Sequence, residues 1–311
     1  MIRRSFLTLL ASCAGLLAAD PALVRMIPSD AAFVAGIRAD QIRSSRFGRT
    51  ILDQLKSEEV SLNRFIEATG FDPRTDLSEL IVASNDPDRK GNGLAMARGR
   101  FDAARIQSFA RQEGTQIIQH LGVDILAGRD KSGSIAVLDG TTAIAGDVES
   151  VRAAIERHKQ GGASPLDAAM LARIASLSTR YDAWMISPSV PRLAGHIADP
   201  QIGGAMRGNL VEAVESVVGG VKFAAGAVEL MAEAGMRSEK DAAAMVDVVR
   251  FLAGLIQLNS GKDARAGELA KLLDRMQLSS SGNQFRMQLI VPDDFLDKLV
   301  APASRKSSPV I

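Results

Sequence analysis

The chain has 311 residues, 46% hydrophobic and 23% charged, with a net charge of +1. That balance belongs to ordinary globular proteins and excludes disordered and fibrous classes, and nothing in it points to nucleic acid as a partner. A single cysteine and 4% aromatic residues exclude a disulfide framework and thiolate metal sites, and leave little for ring-stacking on carbohydrate or bases.

Residues 1–19 read as an export signal. Met1-Ile2-Arg3-Arg4 is a positive start, Phe6 to Ala19 is apolar, and the small residues Ala18 and Ala19 precede the polar Asp20. The apolar stretch is shorter than the ~20 residues a permanent membrane helix needs. Loss of Arg3 and Arg4 takes Lys+Arg from 37 to 35 against 36 acidic residues, so the mature chain carries about −1. Two refinements stay open. Arg3-Arg4-Ser5-Phe6-Leu7 resembles the twin-arginine export motif but departs from it at Ile2 and Thr8. Leu10-Ala11-Ser12-Cys13 resembles the lipobox of bacterial lipoproteins, which would place a lipid anchor on Cys13. No transmembrane helix is expected in the mature chain.

Beyond the leader, the turn signal Pro28-Ser29-Asp30 introduces a first strand over 31–37. Two helices follow, the second marked by Val60, Leu62, Phe65, Ile66 and Thr69 and closed by Gly70 and Pro73. Strands at 77–84 and 94–100 form a hairpin whose tip, 85–93, is rich in turn formers. An amphipathic helix over 101–112 ends at Gly114, short strands follow at 115–121, 123–128, 134–139 and 142–146, and a helix resumes over 148–159. The two strand-to-helix junctions around Asp102 and Asp147 look alike, either as an internal repeat or because an acid suits any first helical turn.

Gly161-Gly162-Ala163-Ser164-Pro165 is the boundary signal in the middle of the chain. After it come a helix at 166–177 and strands at 182–187, 217–223 and 226–234. A long helix at 239–258 has Ser238 as its cap and one apolar stripe from Ala242 to Ile256; helix 265–275, strands 276–281 and 284–290, and a short helix 293–299 complete the series. The expectation is an α+β fold: two related units, 20–162 and 163–301, each a mostly antiparallel sheet covered by helices on one face, with a disordered tail at 302–311.

Pro28-Ser29-Asp30-Ala31-Ala32-Phe33-Val34-Ala35-Gly36, Gly219-Gly220-Val221-Lys222-Phe223, the Asp241-Ala242 long helix and Gly282-Asn283-Gln284-Phe285-Arg286-Met287-Gln288-Leu289 together resemble a group of uncharacterised secreted bacterial proteins. The resemblance implies a duplicated α+β fold outside the cytoplasm and no particular activity.

Candidate chemistry is sparse. His120, His158 and His196 lack a second ligand at a metal-binding spacing. Asp86 to Gly91 mimics the start of a calcium loop but has Lys90 and Ala97 where ligands belong. Asn259-Ser260-Gly261-Lys262 follows a helix and lacks the earlier glycine of a phosphate loop, and Gly219-Gly220 reads as a strand start or bulge in place of a dinucleotide site. No catalytic, cofactor-binding or metal residue is assigned, and no cofactor is expected. The functional expectation is a non-enzymatic binding or structural module of the cell envelope with an envelope protein or apolar ligand as partner. A carrier whose cavity is lined by the helix faces of 224–258, and an exported hydrolase, are the alternatives. A carrier requires a cavity above roughly 300 Å3.

Overall fold

The computed structural model describes residues 18–49, 60–86, 93–128, 133–188, 209–259 and 264–295. Residues 1–17 with Cys13, the residues 87–92, His196, Ser260-Gly261-Lys262 and residues 296–311 lie outside the described residues.

Among the described residues, short β-leaning apolar runs build twelve strands, and all of them join one sheet with antiparallel pairings. The first half supplies β1 (Phe33–Arg38), β2 (Leu77–Ser84), β3 (Gly93–Gly99), β4 (Gln116–His120), β5 (Val123–Ala127), β6 (Ser134–Asp139) and β7 (Thr142–Gly146). The second supplies β8 (Ala183–Ser187), β9 (Val214–Ala224), β10 (Ala227–Met236), β11 (Gln277–Ser281) and β12 (Gln284–Pro292). Their order is β11-β12-β10-β9-β8-β1-β2-β3-β7-β6-β5-β4. The two halves meet where β1 pairs with β8, so the sheet runs unbroken across the boundary near residue 162.

Helices cover both faces, where one covered face per unit was expected. On the first face α1 (Pro21–Met26), α6 (Val148–Gln160) and α7 (Ala168–Arg180) enclose a core that includes Leu23, Met26, Ile81, Met96, Ile125, Ile144, Ile155 and Ile174. The strand residues beside these in sequence point the other way, as the period of two requires. Thus Leu126 and Val137 pack on α5 (Ala103–Gln112), while Val228, Ala234 and Phe285 pack under α9 (Glu239–Asn259) and α10 (Ala264–Leu273). Between them lie α2 (Ala39–Ser44), α3 (Val60–Thr69), α4 (Pro73–Asp76) and α8 (Asn209–Glu212). The far end of the first face, around Glu229, Glu233, Arg286 and Gln288 of β10 and β12, is polar, and there the pattern of one wet face holds.

The first helix, like the one-turn helices α4 and α8, is not among the elements expected from the sequence. Asp20 caps it by accepting the Ala22 N–H at 2.7 Å, Pro21 occupies its first turn, and Leu23 and Met26 are fully buried. At six residues it is too short to show a period, although its Asp-Pro start was legible. Both acids at the similar junctions are caps: Asp102 accepts from Arg105 N–H and Asp147 from Ser150 N–H. Gly219 and Gly220 sit in the interior of β9, neither at its start nor at a bulge. A Cβ on Gly220 would lie 2.6 Å from the Tyr181 ring, so the close approach of that ring demands glycine.

Ser238 performs its expected cap, accepting the Asp241 N–H at 3.1 Å and donating its own hydroxyl to the Asp241 carboxylate at 2.7 Å. Ser238→Ala is expected to lower stability by about 1 kcal/mol, read as a lower urea midpoint with an unchanged slope.

Candidate functional site

Two concentrations of chemistry stand out, one polar and one apolar. The polar one begins with register. Arg38 of β1 faces Glu79 of β2, Glu79 faces Arg98 of β3, and Arg98 faces Thr142 of β7. On the other side Arg38 donates its backbone N–H to the Asp182 carbonyl just before β8. Residues directly opposite one another share a sheet face, so the five side chains form a row along one margin of the first core.

Asp182 is almost wholly buried and receives the Arg38 guanidinium at 2.5 Å and the Phe223 N–H at 2.8 Å. Arg98 reaches Thr142 Oγ1 at 2.6 Å and the Asp20 carboxylate at 2.6 Å. The Asp20 backbone N–H lies 3.2 Å from both oxygens of Glu79. Burial drives the Glu79 carboxyl up to about 7, opposed by that N–H and by Arg38 and Arg98, and reinforced by the Asp20 charge. The row therefore pins the start of α1 to the middle of the sheet.

The apolar concentration is a cleft of about 530 Å3 on the opposite face, between α5 and strands β5 to β7. Ile106 and Ala110 of α5 and Leu126 of β5 form its inner wall, Ala145 its floor, and Ile135, 41% exposed, its rim. Gly93 and Gly133 carry no side chains to fill it: a Cβ on Gly133 would meet only open space, and one on Gly93 only the Ala83 carbonyl at 3.9 Å. One side is aromatic, where Phe65 stands edge-on to Phe109 at 5.9 Å; away from the lining Phe65 also meets Phe71 at 6.4 Å, and Phe71 stacks on Phe101 at 4.9 Å. Four of the eleven phenylalanines are gathered here. At the mouth Glu113 is held by Arg64 of α3 at 2.6 Å, so its charge is already matched.

The long-helix stripe expected to line a cavity instead packs as core: Ala242, Met245, Val246 and Val249 close on Val214, Met236 and Phe285. Sustained apolar contact on one helix face is what makes it bury against the sheet. Grooves of about 400 Å3 beside Arg180, Glu229 and Arg275, and of about 470 Å3 beside Arg250, Gln257 and Asp274, are more polar. His120 Nε2 meets Glu156 Oε1 at 3.0 Å, linking β4 to α6 at the surface, and His158 lies in the last turn of α6. In the sequence, Phe65 and the amphipathic helix over 101–112 show only apolar helix faces. That they leave a hollow depends on glycines in distant strands and turns.

No protein-family model matches the chain, and no curated protein does. Its fold is similar to solved structures of TP0453. Crystal form III matches at a TM-score of 0.51 with 7% identity over 91% of this chain and 97% of that one; crystal form IV matches at 0.52 with 9% identity over 92% and 98%. At this identity the likeness concerns the mixed α+β fold alone. Among the described residues no helix is long and apolar enough to cross a membrane.

Proposed function

We propose that this protein is a non-enzymatic binding module that works outside the cytoplasm and takes an apolar small molecule, or the acyl chain of a lipid, into the cleft between α5 and β5 to β7. The observation that carries this reading is the cleft itself. Its volume of about 530 Å3 lies within the roughly 300–1,000 Å3 of small-molecule sites, and its lining of aliphatic and phenylalanine side chains offers an apolar guest dispersion contacts in place of water. With Glu113 neutralised by Arg64, the mouth favours a guest with a neutral head. The leader-like N-terminus supports the location, with free release and anchoring through Cys13 as its two forms.

The two halves also read as one duplicated unit, 20–162 and 163–301. In each, three strands lie side by side in sequence order, helices intervene, and the last strand of the unit returns beside the third: β7 beside β3 and β12 beside β10. The first unit differs by an extra hairpin at the sheet edge.

Ala145→Phe should fill the floor of the cleft. Displacement of an apolar fluorescent probe by decanol and by longer neutral chains is expected to weaken at least tenfold in the variant, equivalent to about 1.4 kcal/mol, with the melting temperature held or raised. Equal binding by both proteins would defeat the assignment of this cleft.

A further inference from the structure

The described chain starts against the polar row. Ala19 is buried and donates its N–H to Ser178 Oγ at 3.0 Å, and the next N–H, that of Asp20, points at the two Glu79 oxygens. The charged groups around that N–H come from every element that meets there: Asp20 itself at the start of α1, Arg38 from β1, Glu79 from β2, Arg98 from β3, and Asp182 beyond Arg38. With Glu79 ionised these are three carboxylates and two guanidiniums, one positive charge short of balance.

We infer that cleavage between Ala19 and Asp20 completes this row: the new α-ammonium of Asp20 takes the place of the amide N–H and forms an ion pair with both oxygens of Glu79. The step is hydrolysis by a leader peptidase. Water adds across the Ala19–Asp20 peptide bond, the C–N bond breaks, Ala19 leaves with the carboxylate, and Asp20 keeps the nitrogen as an amine that is protonated at neutral pH. The ammonium supplies the missing charge where a desolvated carboxylate most needs one. Cleavage one residue earlier would bury an ammonium against the neutral Ser178 hydroxyl, which gives it no counter-charge. The inference rests on the export reading of residues 1–19 and adds what export does to the folded protein: removal of the leader locks the first helix to the sheet.

The sign of one substitution separates the two states. In the uncleaved chain Glu79 titrates near 7 because it is buried; its raised value means that stability falls as pH climbs from the ordinary carboxyl range through 7. Glu79→Gln should then leave the melting temperature at pH 7 unchanged or higher. In the cleaved chain Glu79 is ionised against the ammonium at pH 7, and the pair is lost on the alkaline side when the amine deprotonates and on the acid side when the carboxyl is protonated. There Glu79→Gln should lower the melting temperature at pH 7 by roughly 5 °C, and the α-amine should titrate above about 9 instead of near 8.

The experiment produces the full chain in a bacterium that exports it, and the same chain in the cytoplasm behind a soluble fusion partner. Intact mass and N-terminal sequencing come first, then melting from pH 5 to 10 with and without Glu79→Gln, and NMR titration of the α-amine. An exported chain beginning at Asp20 with the expected sign reversal supports the proposal. A start at lipidated Cys13 or at any other residue overturns the cleavage position, and a leader retained after secretion conditions overturns the export reading beneath it. A start at Asp20 with an ordinary amine titration and no sign reversal overturns the ion pair while leaving export intact.

Discussion

Replacing Asp182 by Ala is expected to lower the melting temperature by roughly 10 °C, the consequence of taking the closest carboxylate from a buried guanidinium and the acceptor from a backbone donor together. Asp182 holds Arg38 at 2.5 Å and Phe223 N–H at 2.8 Å, and the side chains of the pair are 13% and 7% exposed. Breaking such a pair from one side costs about 3–5 kcal/mol, because the buried guanidinium loses the carboxylate that offsets its desolvation at closest range. Asp182→Asn should fall between, since its amide oxygen still accepts the Phe223 N–H. The double variant Asp182→Ala with Arg38→Met should recover part of the loss, as no charge is stranded. Calorimetric melts of the wild type, these three variants and Arg38→Met alone check this, and strict additivity of the two single changes would show that the groups act independently.

Trp184→Ala should have an effect of the same order, about 3–5 kcal/mol. The ring is 5% exposed and lies flat across β1, so close that a Cβ on Gly36 would stand 2.5 Å from it. Its removal leaves a void in the seam where the two halves of the sheet meet. The geometry supplies its own control. Gly36→Val alone should destabilise, because its methyls collide with the ring; in the Trp184→Ala background the same valine enters the vacated space and should restore about 1–2 kcal/mol. Urea unfolding of all four proteins measures it. A valine equally harmful in both backgrounds would mean that the Gly36 backbone, and not the ring, dictates glycine there.

Much of the fold was legible locally. The strands at 77–84, 134–139 and 142–146 coincide with β2, β6 and β7, since a β-leaning apolar run of five to eight residues and a turn dipeptide such as Asp139-Gly140 are properties of neighbouring residues. The long helix declared itself by its stripe and by Ser238. What escaped the reading was short or distant. The first helix has too few residues for a period. Gly220 looks like any strand glycine until Tyr181, some forty positions earlier, is laid on it. The sites were less visible than the elements: Asp20, Arg38, Glu79, Arg98 and Asp182 are scattered over the first 182 residues and look like ordinary charges at strand ends.

The sequence by itself determined the α+β class, the run of strands and helices, the caps that start the helices and a leader-like beginning, because each depends on residues within a turn or two of one another. Only the tertiary structure decided that the two halves share one sheet, that both its faces are covered, that the polar row assembles beneath Asp20, and that a hollow remains beside α5. Each of those depends on strand register and on which distant side chain is missing, and register is settled by the packing of the whole sheet at once.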